Sequence, residues 1–183
     1  NYSDEDLSIE FPKYSLFDTL YLSYSKFTNI ERKTEYFNFE HYDQPIRKSI
    51  TLKIKPKLKY DQKHSFLYTV DGESNLNFAG GTWANNQIVL QTRDLVTYTI
   101  ALDTIPPEIS HLKSEPGKLK FKIQDKMSGI NNYEARLNEK WVLMNFDEKY
   151  GILWSEDGLN ISGHFILKIS DNSENNIIWE RTF

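Results

Sequence analysis

The side chains in this sequence best suited to hold a metal or move a proton near neutral pH are four histidines, His41, His64, His111 and His164. A catalytic zinc needs three ligands converging on one point with a fourth position left open. No two of these histidines lie two residues apart. There is no cysteine, which removes thiol catalysis, thiolate-bound zinc and any disulfide framework but leaves the compartment open. G-x-S-x-G, a phosphate-cradling glycine loop and a dinucleotide fingerprint are all missing. Gly80-Gly81 is too short to cradle phosphate and reads as a bulge or tight bend. No catalytic residue, no cofactor site and no metal site are assigned on these grounds.

Two Asp-rich turns, Asp125 to Gly129 and Asp171 to Asn176, offer hard oxygen ligands, with Asp103 as a further carboxylate. Calcium would need about six to eight oxygens around one point. The simpler reading is that Asp125, Ser128, Asp171 and Asn172 hydrogen-bond the backbone of their own turns, and that reading is adopted. Trp83, Trp141, Trp154 and Trp179 could stack on sugar rings. Trp141 sits in Trp141-Val142-Leu143-Met144, a run apolar on both faces, and is expected in the core. Trp83, beside the double glycine, and Trp154, before a charged turn, are the candidates for exposure and binding. The Tyr- and Phe-rich stretch from Tyr14 to Tyr42 is expected to supply core and an interdomain or intersubunit face.

The elements that must position these residues are strands. Leu119, Phe121 and Ile123 alternate with Lys118, Lys120, Lys122 and Gln124, the pattern of a half-buried antiparallel strand. The same period of two recurs in Ile50, Leu52 and Ile54; in Phe66, Tyr68 and Val70; in Tyr98, Ile100 and Leu102; and in Phe165, Leu167 and Ile169. Tyr- and Phe-rich strands are expected around Thr19 to Tyr24 and Tyr36 to Tyr42. Asp71-Gly72, Asn85-Asn86, Tyr150-Gly151 and Asp157-Gly158 interrupt the apolar runs at hairpin intervals. No long segment has helical period. Many short strands without intervening helices predict an all-β chain of two tandem immunoglobulin-like antiparallel β-sandwich domains.

Pro106-Pro107 removes two backbone donors and fixes φ, so no central strand runs through it. The expected domains are residues 1–103 and a smaller one, 104–183. Hydrophobic residues make up 39% of the chain and aromatics 14%, enough to build two packed cores. A formal charge of -4 with both signs interspersed argues against nucleic acid as a partner. Arg47-Lys48 and Lys53 to Lys63 read as the wet face of a strand followed by a loop. No run approaches the ~18 to 20 apolar residues of a transmembrane helix. The start, Asn1-Tyr2-Ser3-Asp4-Glu5-Asp6, has neither an initiator Met nor a signal peptide's regions, and is read as a processed or truncated start.

The second half carries a recognisable order of motifs. Asp103-Thr104-Ile105-Pro106-Pro107-Glu108-Ile109 is followed by Asp125-Lys126-Met127-Ser128-Gly129-Ile130. Next come Asn138-Glu139-Lys140-Trp141-Val142-Leu143-Met144-Asn145-Phe146-Asp147-Glu148-Lys149 and Asp171-Asn172-Ser173-Glu174-Asn175. This resembles the C-terminal region of lysostaphin-like (M23) zinc peptidases of Bacteroidetes. More loosely, Phe11-Pro12-Lys13-Tyr14-Ser15-Leu16-Phe17-Asp18, Gly80-Gly81-Thr82-Trp83 and Thr97-Tyr98-Thr99-Ile100 resemble segments of the same family. Glu139 and Glu174 stand where that family has Gly, which is expected to relax those two turns.

The resemblance implies a region without the catalytic domain, whose zinc ligands lie upstream in that family. It implies a bacterial protein that is secreted, periplasmic or attached to the outer membrane. The implied function is a non-catalytic accessory region that positions the catalytic domain or mediates its contacts. A stand-alone module binding glycan or an envelope protein is the alternative. Asp18-Thr19-Leu20 and Asp103-Thr104-Ile105 also match a short O-glycosylation pattern of that bacterial group; Thr104, in the linker, is expected to be the accessible one.

Overall fold

The computed structural model describes residues 1–41, 45–72 and 75–183, the side chain of His41 excepted. The expected strand through Tyr42 therefore extends past the described residues. Every described element is a strand, every strand pairing is antiparallel, and the chain is all-β. It divides into two compact units, Asn1–Asp103 and Thr104–Phe183, each a sandwich of two sheets.

In the N-terminal sandwich one sheet has the order β1 (Tyr2–Ser3), β2 (Leu7–Glu10), β5 (Ile50–Ile54), β9 (Gln87–Thr92), β8 (Thr82–Ala84). The other runs β3 (Leu22–Asn29), β4 (Thr34–His41), β10 (Tyr98–Leu102), β6 (Ser65–Val70), β7 (Leu76–Gly80). Alternation makes the core. Ile9, Leu52 and Leu90 are register partners across β2, β5 and β9, as are Leu7, Ile54 and Ile88, and all are buried. They pack with Phe37, Phe39, Leu67, Tyr98 and Ile100 of the second sheet. Each fully buried side chain of this kind contributes roughly 1.5–3 kcal/mol.

Two strands depart from the expected faces. In β6 the residue in the main core is Leu67, while Phe66 and Tyr68 pack on Phe78 with ring centroids 5.6 and 5.5 Å away. The β6–β7 register shifts between Leu67 and Tyr68, beside Gly80 and Gly81. The extra residue of that bulge lies on β7, so β6 itself keeps an unbroken alternation against β10, with Leu67 on one face and Phe66 and Tyr68 on the other. A Cβ on Gly81, at φ 113°, would stand 2.8 Å from Ile88, so only glycine fits. In β10, Tyr98 and Ile100 are buried, but Leu102 is 53% exposed at the strand's end.

In the C-terminal sandwich the sheets are β11 (Glu108–Leu112), β12 (Lys120–Gln124), β16 (Ile152–Ser155), β15 (Met144–Asp147), and β14 (Lys140–Val142), β13 (Ile130–Leu137), β17 (His164–Asp171), β18 (Asn176–Thr182). Leu119, Phe121 and Ile123 meet Phe165, Leu167 and Ile169 across the core. Phe121 lies stacked on Phe165 at 5.9 Å, and the edge of Trp179 closes on both. Two-residue turns join β8 to β9 through Asn85-Asn86 and β13 to β14 through Asn138-Glu139, with positive φ at all four residues. That is the geometry that matches strand twist in a hairpin. Glu139, at φ 66°, occupies a position that glycine would fill without strain.

Candidate binding surfaces

The histidines are dispersed. His41 lies on β4, and its side chain is outside the described residues. His64 Nδ1 is 2.9 Å from Asp61 Oδ2, and that hydrogen bond is the largest cause holding the Asp61 carboxyl below its ordinary value. His111, on β11, packs beside Phe121 and Trp179 at 5.2 and 5.3 Å. Burial, then the nearby Arg181 charge, lowers its pKa from 6.5. His164 Nε2 faces Glu180 Oε2 at 3.4 Å across β17 and β18. Each of these three has a different local partner.

The Asp-rich turns use their side chains on their own backbone. Asp125 Oδ1 accepts the N–H groups of Met127, Ser128 and Gly129 at 3.0, 2.8 and 2.8 Å. Asp171 Oδ1 accepts those of Ser173 and Asn175 at 2.9 and 2.8 Å, and its Oδ2 takes the Asn175 amide. Asn172 ties the two turns together, donating to the Ser128 carbonyl at 2.7 Å. Charged acceptors of this kind organise a turn because one carboxylate satisfies several orphan donors at once. Asp103 is buried at the end of the N-terminal unit, where its N–H donates to the His64 carbonyl at 2.9 Å.

The tryptophans fall differently from expectation. Trp83 is half-buried against the core, its indole N–H donates to the Ser65 carbonyl at 2.6 Å, and its ring lies 6.3 Å from Tyr60. Trp141 is 63% exposed, because Val142 and Met144 take the inward positions of that run. Trp154, on β16, is half-buried and points away from the core that Leu153 enters. With Lys118, Lys120, Asp147, Tyr150 and Ile152 it lines a shallow cavity of about 300 Å³. An aromatic ring beside hydrogen-bonding and charged groups suits a polar ring-bearing ligand.

A further exposed apolar surface was not signalled by the strand pattern. Tyr14, Phe17 and Tyr21 are 65%, 68% and 70% exposed on the irregular segment between β2 and β3. The stretch expected to supply core and an interdomain or intersubunit face divides: Phe37 and Phe39 are buried, whereas these three and Phe27 stand in solvent. Tyr14 holds φ at 64°, a left-handed conformation that costs roughly 1–2 kcal/mol for a residue with a Cβ. It is held by a staple: Ser15 N–H donates to the Pro12 carbonyl at 3.0 Å, Arg47 N–H to that of Ser15 at 2.7 Å, and Leu16 bridges Ile46.

The staple brings cations onto the rings. Lys13 and Lys48 ammoniums lie 5.0 and 5.8 Å from the Tyr14 centroid, and the Arg47 guanidinium 5.8 Å from that of Phe17. Arg47-Lys48 therefore precedes β5 as part of a loop surface. Below the same segment, Asn1, Tyr2, Phe11, Leu16, Leu20, Leu22 and Tyr24 line a cavity of about 550 Å³. Burial, and then the Asp4 and Asp6 charges, push the Tyr24 phenol well above its ordinary value of 10.0. Thr19, in this segment, is exposed, as is Thr104; both threonines of the short glycosylation pattern are accessible.

No curated protein matches the sequence. Among solved structures, apo expansin from Clavibacter michiganensis is similar with a TM-score of 0.34 and 9% identity, over 66% of this chain and 67% of that one. Residues 1–103 match the Zu5-like domain. That unit is more than half of the 183-residue chain, and the protein belongs to the Zu5-like domain family.

Proposed function

We propose that the chain is a non-catalytic accessory region of a secreted or envelope-attached M23-like cell-wall peptidase, positioning the catalytic domain or mediating its contacts. The observation that carries this reading is how the chemistry-bearing side chains are used. Asp125 and Asp171 organise turns, Glu35 anchors a loop, and His111 fills an aromatic cluster, while Tyr14, Phe17, Tyr21 and Trp141 are turned outward. Such a division suits a scaffold that makes contacts. The parent class is supported by the motif order from Asp103 to Asn175.

The test compares the parent enzyme with and without residues 1–183 on purified cell-wall sacculi. Loss of sacculus binding, with hydrolysis of a soluble muropeptide retained, is the expected outcome. Turnover by the 183-residue chain itself, abolished by changing one histidine, would overturn the reading. The alternative, a stand-alone glycan-binding module, is favoured by the cavity beside Trp154, where Tyr150, Asp147 and Lys120 surround the ring. Sacculus binding by the isolated chain that Trp154→Ala abolishes would select it.

A further inference from the structure

We propose that the stapled segment carrying Tyr14, Phe17 and Tyr21, with Lys13, Arg47 and Lys48, docks the N-terminal sandwich onto an anionic lipid surface. Two aromatic rings, Tyr14 and Phe17, each about two-thirds exposed, stand together with three cations on one stapled surface, and Tyr21, 70% exposed, follows four residues on in the same segment. None of the three cations is in an ion pair among the described residues. Two ammoniums share the Tyr14 ring, and their mutual repulsion is relieved by an approaching anion. The acid within the segment, Asp18, accepts the Thr19 N–H at 2.7 Å, and its one negative charge stands against the three cations of Lys13, Arg47 and Lys48. The surface is thus locally cationic on a chain whose formal charge is -4.

Lipid fits these observations better than a sugar polymer. Stacking a sugar needs a free ring face, and the Tyr14 ring has its own lysines over it. Phe17 has no hydrogen-bonding group. Aromatic rings with neighbouring Lys and Arg stems are what the headgroup boundary accommodates, the rings entering and the charges staying at phosphate level. Leu16 and Leu20, interleaved with Phe17 and Tyr21, wall the cavity of about 550 Å³ beneath, together with Phe11 and Leu22. Its size is within the usual range for ligand sites, roughly 300–1,000 Å³, and its walls suit an acyl chain. The Tyr24 hydroxyl in that wall is buried without a hydrogen-bond partner among the described residues. The surface acts in this way whichever catalytic domain the chain serves.

The experiment is co-sedimentation of the 183-residue chain with phosphatidylglycerol–phosphatidylcholine vesicles against pure phosphatidylcholine. Each basic residue at an anionic leaflet strengthens binding about fivefold. Arg47→Glu with Lys48→Glu is therefore expected to weaken binding at least about 25-fold, and Phe17→Ser with Tyr21→Ser at least about tenfold. Raising salt should weaken the unaltered chain in the same direction. Thermal melts check that the variants fold. If either pair unfolds, Lys13→Glu and the salt series on the unaltered chain decide. No preference for the anionic vesicles, or a preference that survives both pairs, overturns the proposal. So does binding to polygalacturonate without binding to vesicles.

Discussion

Changing Glu35 to Gln should destabilise the N-terminal sandwich more than almost any isosteric exchange in it. Glu35 is fully buried on β4, 2.8 Å from the Lys26 ammonium on β3. Its two oxygens accept the N–H groups of Lys57 and Leu58 at 3.0 and 2.9 Å, which anchors the loop after β5. Glutamine keeps the volume but has one acceptor oxygen, and its NH₂ group must face a donor that the carboxylate had satisfied. Breaking a buried ion pair costs about 3–5 kcal/mol. Lys26 is 14% exposed and keeps Asp6 at 3.3 Å, which sets the expectation at the low end, about 3 kcal/mol.

At about 4–8 °C per kcal/mol for a unit of this size, the melting midpoint should fall roughly 12–24 °C. Trp83 is the tryptophan of residues 1–103, so fluorine NMR of fluorotryptophan-labelled protein in urea reads that unit separately. A cycle with Lys26→Met isolates the pairwise coupling, expected above about 1 kcal/mol. A loss below about 1 kcal/mol for Glu35→Gln, or a coupling near zero, would refute the account of Glu35 as an electrostatic anchor.

Three further outcomes are expected. Asp125→Ala leaves three N–H groups without their acceptor and should cost the C-terminal sandwich about 2–3 kcal/mol in urea melts. Glu139→Gly and Glu174→Gly, at φ 66° and 64°, should each stabilise by up to about 1 kcal/mol; equal melting points would show that the turns carry no strain. His111 has its folded pKa below the unfolded 6.5, so the folded state binds fewer protons than the unfolded one. Stability of the C-terminal sandwich should fall as pH drops below about 6.5 and level off beneath the folded pKa. His111→Phe should remove that component of a melting series between neutral and mildly acidic pH.

The sequence by itself determined the strand periodicity, the turn chemistry and the all-β class. Leu119, Phe121 and Ile123 alternate strictly with lysines, and a pleated strand buries such a row on one face. Asn85-Asn86 and the Asp-rich turns were equally legible, because their side chains act on backbone only a few residues away. Tertiary structure decided the rest. Alternation says which residues share a face, not which face is inward, and in β6 it is Leu67, not Phe66, that enters the main core. Trp141 and Trp83 exchanged their expected exposure because Val142 and Met144 filled the inward positions, while Ser65 offered Trp83 a carbonyl. The aromatic and basic surface arises from Tyr14 to Tyr21 meeting Arg47 and Lys48 across a bridge between Leu16 and Ile46. A contact between segments thirty residues apart has no period to betray it, and only the packing of the chain on itself creates it.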